Sequence, residues 1–195
     1  MNNQIDEAIE ILKKGGIIIY PTDTAFGIGC RIDNAAAVKK LFSIRQRPLN
    51  KPSPVLFDTI KRVENYVQAI SPEARDLMNK YWPGALTLVL PAITLNVNSL
   101  VLGEDLSIGC RIPDHDVPLQ LIKGLGVPII GTSANFSGKL TPYRVEDLDP
   151  ALTSLVDMVI PGFTNGQKES TVINCTQYPF TVLRQGAISI GNIES

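Results

Sequence analysis

Segments with helical hydrophobic spacing alternate with short strand-like segments along this chain, and that alternation limits the folds it can adopt more than any other feature. Apolar residues recur at helical spacing over residues 5–12, and the glycines at positions 15 and 16 end the pattern before the β-branched run 17–19. The chain therefore begins with a helix that leads into a strand.

Capping residues and changes of hydrophobic period predict the remaining elements. The predicted helices run over residues 35–42 after Asn34, from Pro72 after Ser71 to near Trp82, and over residues 117–125 before Gly126. The predicted strands are residues 17–20, 86–90, 107–112, 127–130, 171–173 and 180–184. Because no repeat or linker interrupts this order, we expect a mixed α/β fold, a sheet with covering helices, in one domain over residues 1–195.

The composition agrees with one core and excludes some classes of function. With 195 residues, of which 44% are hydrophobic, the chain is long enough for one sizeable core. Its formal net charge of -1 argues against a protein whose whole surface binds nucleic acid or membranes, although a local cationic cavity fits the same charge. Any affinity for RNA must then be local.

The cysteines and the amino-terminal residues bear on the cellular compartment. Cys30, Cys110 and Cys175 are odd in number and form no C-x-x-C pair, so neither a disulfide framework nor a zinc site is favoured. The amino terminus is polar, and no apolar run reaches the length of a membrane span. We expect a soluble, cytoplasmic protein that makes no membrane contact.

Two polar segments, far apart in the chain, indicate a nucleotide site. Residues 45–48 (RQRP) and Lys51 place cations in a turn after the helix that Asn34 caps, where they repel one another unless a polyanion such as phosphate lies between them. Residues 131–135 (GTSAN) follow the predicted buried strand 127–130, so their backbone and side-chain donors lie where a ligand can meet them.

These features also have structural interpretations. Arg45 and Arg47 are alternatively solvated side chains at a helix carboxyl end. Ser133 and Asn135 are alternatively plain turn residues. Arg111 differs, because a charge on an apolar strand needs a partner or a ligand.

Other polar and aromatic residues favour structural roles. His115 is expected on an exposed loop rather than in catalysis. Tyr81 and Trp82 are expected to seal the end of a helix, and Asp23 to cap its own turn.

Short motifs spread over nearly the whole chain carry a resemblance to a known family. They are YPTDTAFG at 20–27, RQRP at 45–48, WPG at 82–84, RIP at 111–113, TSAN at 132–135, ESTV at 169–172 and RQG at 184–186. In this order they resemble the YrdC-like family of threonylcarbamoyl-AMP synthases. The resemblance implies a twisted mixed sheet with covering helices around a deep, positively lined cavity.

The resemblance also implies an activity. Members take L-threonine, bicarbonate and ATP, with Mg²⁺ carried by the ATP, and make threonylcarbamoyl-AMP and pyrophosphate. Separate transferase proteins use the product to form threonylcarbamoyladenosine in tRNA. A carbamate is already an anion that can attack phosphorus without a strong protein base, so cations and donors matter most in such a site. Some relatives carry an additional carboxyl-terminal domain, and this chain resembles the short form.

The resemblance assigns roles to individual residues. The implied catalytic residues are Arg45, Arg47, Ser133 and Asn135; ATP is bound by Arg47, Lys51, Ser107, Ser133, Thr141 and Arg184; threonine is bound by Thr24, Arg111 and Ser170. Within that set, Arg111 faces the threonine carboxylate. Two positions depart from the family, since Arg45 stands where lysine is usual and Leu56 stands where some relatives have a histidine near the threonine.

Two other functions stay open at the level of sequence. One is a YrdC-like paralogue that binds RNA or nucleotide without making the adenylate. The other is carbamoyl transfer from carbamoyl phosphate, as in larger proteins that contain this domain. For the synthase, tRNA binding by this chain alone is expected to be weak and strongly salt-dependent, and tight tRNA binding would favour the RNA-binding alternative.

Overall fold

The computed structural model describes residues 2–46 and 53–190 as a mixed α/β fold. The helices are α1 Asn2–Lys13, α2 Ala35–Ile44, α3 Ile60–Val63, α4 Pro72–Tyr81, α5 Asp116–Leu125 and α6 Pro150–Thr153, with 3₁₀ turns at Thr94–Asn96, Ser99–Val101 and Val145–Asp147. The strands are β1 Ile18–Tyr20, β2 Gly27–Gly29, β3 Val55–Leu56, β4 Leu86–Pro91, β5 Ser107–Arg111, β6 Ile129–Ile130, β7 Thr132–Ser133, β8 Met158–Val159, β9 Thr171–Asn174 and β10 Thr181–Arg184. The fold class predicted from the sequence is confirmed.

The strands form two sheets, and the expectation of one sheet is wrong. A four-stranded sheet has the order β7-β2-β1-β8, and a six-stranded sheet has the order β10-β9-β4-β5-β3-β6. Both sheets are mixed. In the first, β1 is antiparallel to β2 and parallel to β8; in the second, β4 is antiparallel to β5 and parallel to β9.

The chain passes between the sheets at Gly131. Strand β6 ends one residue before Gly131 in the six-stranded sheet, and β7 begins one residue after it in the four-stranded sheet. A side chain at Gly131 would collide with Leu56 of β3, so the crossing needs glycine. The adjacent Ile130 N–H also donates to the Cys30 carbonyl oxygen at 2.9 Å, which joins the sheets beside the crossing.

Local sequence signals account for the helix ends. The side chain of Asn34 accepts a hydrogen bond from the Ala37 amide at 3.0 Å, and that of Ser71 caps α4 in the same way. Gly126 ends α5 in the left-handed conformation, with φ at 73°. These three predicted ends are confirmed. His115 lies in the loop before α5, as expected, but it is half-buried rather than exposed, and its side chain caps α5 by accepting from the Val117 amide.

The core has two parts. The larger one packs around β4, β5 and α2, and a smaller one lies between α1, α5 and β1. The apolar positions of α1 that suggested a helix, such as Ala8 and Leu12, are buried in the smaller part. Trp82 seals the end of α4 as predicted, donating from Nε1 to the Leu86 carbonyl oxygen at 2.7 Å. In the described part of the chain no helix has both the length and the apolar composition to cross a bilayer.

The close approach of β2 to β6 gives a test of this packing. Gly29→Ala is expected to lower the free energy of unfolding by about 1–3 kcal/mol, because the new Cβ would overlap the Ile130 carbonyl oxygen. Gly109→Ala in β5 is the matched control, since its Cβ would meet atoms only at 3.4 Å and beyond. Urea denaturation of both variants measures the difference, and equal losses would contradict the packing described.

Candidate active site

Strand ends from both sheets surround a small cavity, here called the inner cavity. Its lining includes Thr24 from the loop between β1 and β2, Arg111 at the end of β5, Ser133 of β7, Ser170 before β9 and Arg184 at the end of β10. Its volume of about 130 Å³ corresponds to about four water molecules at about 30 Å³ each. The inner cavity is therefore on the scale of a small amino acid.

Arg111 is buried in the wall of the inner cavity and is held by three acceptors. Its Nη2 donates to Asp23 Oδ1 at 2.6 Å, Nη1 donates to Thr24 Oγ1 at 2.9 Å, and Nε donates to the Gly84 carbonyl oxygen at 2.9 Å. Only 7% of the Arg111 side chain and 9% of the Asp23 side chain are exposed. The sequence-based expectation that Arg111 needs a partner is thus confirmed.

Burial lowers the pKa of Arg111 from its ordinary value, and the Asp23 carboxylate acts in the opposite direction. A guanidinium stays protonated in proteins at neutral pH, so the inner cavity keeps this positive charge. Thr22 caps the turn after β1, accepting from the amides of Thr24 and Ala25, and Asp23 does not take the capping role expected for it. Asp23 instead fixes the plane of the Arg111 guanidinium.

Arg45 is buried and donates hydrogen bonds to the segment 132–135. Only 2% of the residue is exposed. Its Nη1 donates to Thr132 Oγ1 at 2.6 Å, Nη2 donates to Asn135 Oδ1 at 2.8 Å, and Nε donates to the Asn135 carbonyl oxygen at 3.0 Å. Ser133 Oγ donates to the same Asn135 Oδ1 at 2.8 Å. The interpretation of Arg45 as a solvated surface residue is wrong.

The structure thus brings together three of the four residues to which the resemblance gave catalytic roles, Arg45, Ser133 and Asn135. Their contact with substrate stays a prediction, as does phosphate binding by Arg45. The remaining calls on this segment, Arg47 and Lys51, lie outside the described residues.

A larger and more open cavity, here called the outer cavity, lies beside the inner one. Its volume is about 750 Å³, within the range of sites that bind cofactors and other small molecules. Its lining includes Thr141 and Arg184, two of the residues assigned to ATP, together with Lys139, Lys168 and Glu169. Glu169 and Arg184 line both cavities and form the wall between them.

Ser107 lies away from these cavities. It begins β5, and Arg111 ends it, which puts the two residues about 13 Å apart along the strand. Its hydroxyl donates to Asp105 Oδ1 at 2.5 Å. Ser107 does not line the inner or the outer cavity, and nothing in its placement supports the predicted contact with nucleotide.

Acidic side chains in the described part of the chain do not form a metal cage. Over residues 2–46 and 53–190, no group of three or more His, Cys, Asp and Glu side chains is placed to hold a metal ion. Mg²⁺ carried by a nucleotide triphosphate needs few protein ligands, because phosphate and water supply most of its coordination.

Reasoning from the sequence missed two residues of the site, Asp23 and Glu169. Each stands next to a residue that the resemblance did assign, Thr24 or Ser170. Both residues are carboxylates inside motifs that are otherwise rich in anion-binding groups. A carboxylate in such a place needs a cationic partner in the fold, and this requirement could have identified Asp23 and Glu169 as site residues.

The family model for Sua5, YciO and YrdC, described as "Telomere recombination", matches residues 10–186. The chain is 35% identical, over 98% of its length, to a threonylcarbamoyl-AMP synthase of Bacillus subtilis, and spans 56% of that relative. It is 34% identical, over 87% of its length, to a threonylcarbamoyl-AMP synthase of Stenotrophomonas maltophilia, and spans 91% of that relative. The chain belongs to the Sua5/YciO/YrdC family.

Solved structures agree with this assignment. A Sua5 of P. abyssi, crystallised with L-threonine, superposes with a TM-score of 0.90 at 31% identity, over 95% of this chain and 55% of that chain. YciO of E. coli superposes with a TM-score of 0.86 at 31% identity, over 95% of this chain and 90% of that chain.

The hydrogen bonds from Arg45 to residues 132–135 predict a large loss of stability when the Arg45 side chain is removed. Arg45→Ala is expected to lower the free energy of unfolding by about 2 kcal/mol or more, because buried acceptors lose a charged donor. The free energy of unfolding of Arg45→Lys should lie between those of Arg45→Ala and the wild type, since an ammonium cannot reproduce the planar fork of the guanidinium.

Arg75→Ala is the control for Arg45. Arg75 pairs with Glu64 at 2.8 Å with 44% of its side chain exposed, and such a pair contributes about 1 kcal/mol or less. Guanidinium unfolding of the three variants measures the order. If Arg45→Ala is as stable as Arg75→Ala, the hydrogen bonds described for Arg45 are wrong.

Proposed function

We propose that this chain is a threonylcarbamoyl-AMP synthase, which forms threonylcarbamoyl-AMP and pyrophosphate from L-threonine, bicarbonate and MgATP. The observation that carries the proposal is the pair of adjoining cavities, one of amino-acid size with a buried arginine and one large enough for a nucleotide. The names of the Bacillus and Stenotrophomonas relatives support the same activity.

The inner cavity suits threonine. Thr24, Arg111 and Ser170, the three residues assigned to threonine, all line it. The Arg111 guanidinium offers its remaining N–H groups to a carboxylate, and the hydroxyls of Thr24 and Ser170 offer hydrogen bonds. The P. abyssi relative was crystallised with L-threonine, which supports this class of ligand.

The outer cavity suits the nucleotide. We assign its wall residues Thr141 and Arg184 to ATP, and Arg47 and Lys51 to the ATP phosphates, as the resemblance implies. Mg²⁺ enters with the triphosphate as part of the substrate. An arginine in the wall between two anionic substrates lowers their mutual repulsion and stabilises charge on the phosphate oxygens.

The reaction needs two bond-forming steps. The C–OH bond of bicarbonate breaks to supply CO₂, and the threonine amine bonds to its carbon. The proton that the amine loses leaves with the released hydroxide as water, which gives a carbamate. A carbamate oxygen then bonds to the α-phosphorus of ATP, while the bond from that phosphorus to the bridging oxygen breaks and its electron pair leaves with pyrophosphate. The protein contributes mainly by holding two anions in line, which is the established source of rate in such transfers.

We place the enzyme in the cytoplasm, where separate transferase proteins would pass the threonylcarbamoyl group to tRNA. Cys30, Cys110 and Cys175 are unpaired and buried, which suits a reducing compartment. Burial raises the pKa of Cys30 to about 12, so this thiol is inert at neutral pH. Direct binding of tRNA by this chain is expected to be weak and salt-dependent.

A reconstitution experiment tests the proposed activity. Pure protein, L-threonine, bicarbonate and MgATP are mixed without tRNA, and pyrophosphate and the adenylate are measured. We expect both products, each dependent on all three substrates. Binding of ATP without either product would contradict the proposal and favour a nucleotide-binding paralogue, and product formation only with carbamoyl phosphate would favour carbamoyl transfer.

Arg111 gives the test of the threonine site. Arg111→Lys is expected to raise the KM for threonine about tenfold or more and the KM for ATP by much less, because it keeps the charge beside Asp23 but loses the fork that faces a carboxylate. Steady-state pyrophosphate release measures both constants. Lysine is preferred to alanine here, since alanine leaves a buried carboxylate unpaired and destabilises the fold by about 3–5 kcal/mol. Equal rises in the two constants would instead assign Arg111 a purely structural role.

A further inference from the structure

Both carboxylate oxygens of Glu169 accept hydrogen bonds from residues of the candidate nucleotide site. Oε1 accepts from Thr141 Oγ1 at 3.0 Å, and Oε2 accepts from Arg184 Nη1 at 2.7 Å. The backbone of Glu169 is fixed as well, because its carbonyl oxygen accepts from the Ala187 amide at 2.8 Å. One acidic residue thus holds two side chains that come from distant parts of the chain.

The position of this carboxylate is electrostatically unfavourable for a site that takes two anions. Glu169 lines the inner and the outer cavity, so its charge faces the carboxylate of one substrate and the phosphates of the other. Arg184 balances that charge through the ion pair. We therefore explain the presence of this carboxylate by its hydrogen bonds to Arg184 and Thr141.

Arg184 extends the network from Glu169 into the inner cavity. Its Nε donates to the Ser170 carbonyl oxygen at 3.0 Å, and its Nη2 donates to Ser170 Oγ at 3.1 Å. Ser170 Oγ in turn shares a hydrogen bond of 2.9 Å with Thr87 Oγ1 of β4. The guanidinium is therefore clamped between Glu169 on one side and Ser170 on the other.

We propose that Glu169 is a positioning residue for the reaction, which holds Arg184 and Thr141 in the orientation that binds the ATP phosphates across the wall between the two cavities. This inference rests on the proposed function, since it assigns part of the nucleotide site. It adds to the residues given by the resemblance one that acts through Arg184 and Thr141. Its effect falls on the nucleotide rather than on threonine, because Arg111 is held separately by Asp23 and the bonds between Arg184 and Ser170 do not involve Glu169.

Variants of Glu169 separate positioning from repulsion. Glu169→Ala removes the hydrogen bond from Thr141 and one of the three from Arg184, and it is expected to weaken binding of α,β-methylene-ATP with Mg²⁺ about tenfold or more. Glu169→Gln keeps the length and an acceptor oxygen, and it should bind within about threefold of the wild type. Isothermal titration calorimetry with this ATP analogue measures both without any need for turnover.

Glu64→Ala is the matched control. The Glu64–Arg75 pair resembles the Glu169–Arg184 pair in distance, 2.8 Å against 2.7 Å, and in carboxylate exposure, 42% against 36%. It lies outside the linings of both cavities. We expect Glu64→Ala to bind the analogue as the wild type does.

Kinetics add a second readout. In Glu169→Ala the KM for ATP should rise about tenfold, while the KM for threonine stays within about threefold and Glu169→Gln restores most of the difference. If Glu169→Ala binds the analogue as well as or better than the wild type, the carboxylate only repels phosphate and the inference is wrong. If the wild type binds the analogue but releases no pyrophosphate, the proposed activity fails, while the calorimetric comparison still decides the role of Glu169.

Discussion

The buried ion pair between Asp23 and Arg111 is the interaction on which the candidate site depends. Asp23 lies in the loop that joins two strands of the four-stranded sheet, and Arg111 ends a strand of the six-stranded sheet. Their bond of 2.6 Å therefore ties the sheets together where they enclose the inner cavity. Removing two charges from water costs several kcal/mol per ion, and the additional bonds of Arg111 to Thr24 and to the Gly84 carbonyl oxygen offset part of that cost.

Three arginines position different parts of the candidate site. Arg45 shapes the segment 132–135, Arg111 fixes the loop around Thr24, and Arg184 stands in the wall between the cavities. Each forms two or more hydrogen bonds to protein groups, so its orientation is set before a ligand arrives. Preorganised donors of this kind stabilise developing charge without reorganising during the reaction, which suits a transfer between two anions. The proposed transfer needs little acid–base chemistry.

Much of the fold can be predicted from the sequence because its signals are local. The caps at Asn34 and Ser71 and the left-handed Gly126 lie within one turn of the helices they end. The division into two sheets could not be predicted, since it depends on pairing between distant segments on either side of Gly131. The same holds for the site. Arg111 could be identified as a charge that needs a partner, yet that partner is Asp23, 88 residues earlier.

The proposed function requires that an amino acid and a nucleotide occupy the adjoining cavities separated by Glu169 and Arg184. A crystal structure of the protein with L-threonine and the magnesium complex of α,β-methylene-ATP tests it most directly. We expect the threonine carboxylate against Arg111 in the inner cavity and the triphosphate in the outer cavity, with its α-phosphate nearest the wall and within reach of Arg184. Threonine bound away from Arg111, or a nucleotide that leaves the outer cavity empty, would contradict it.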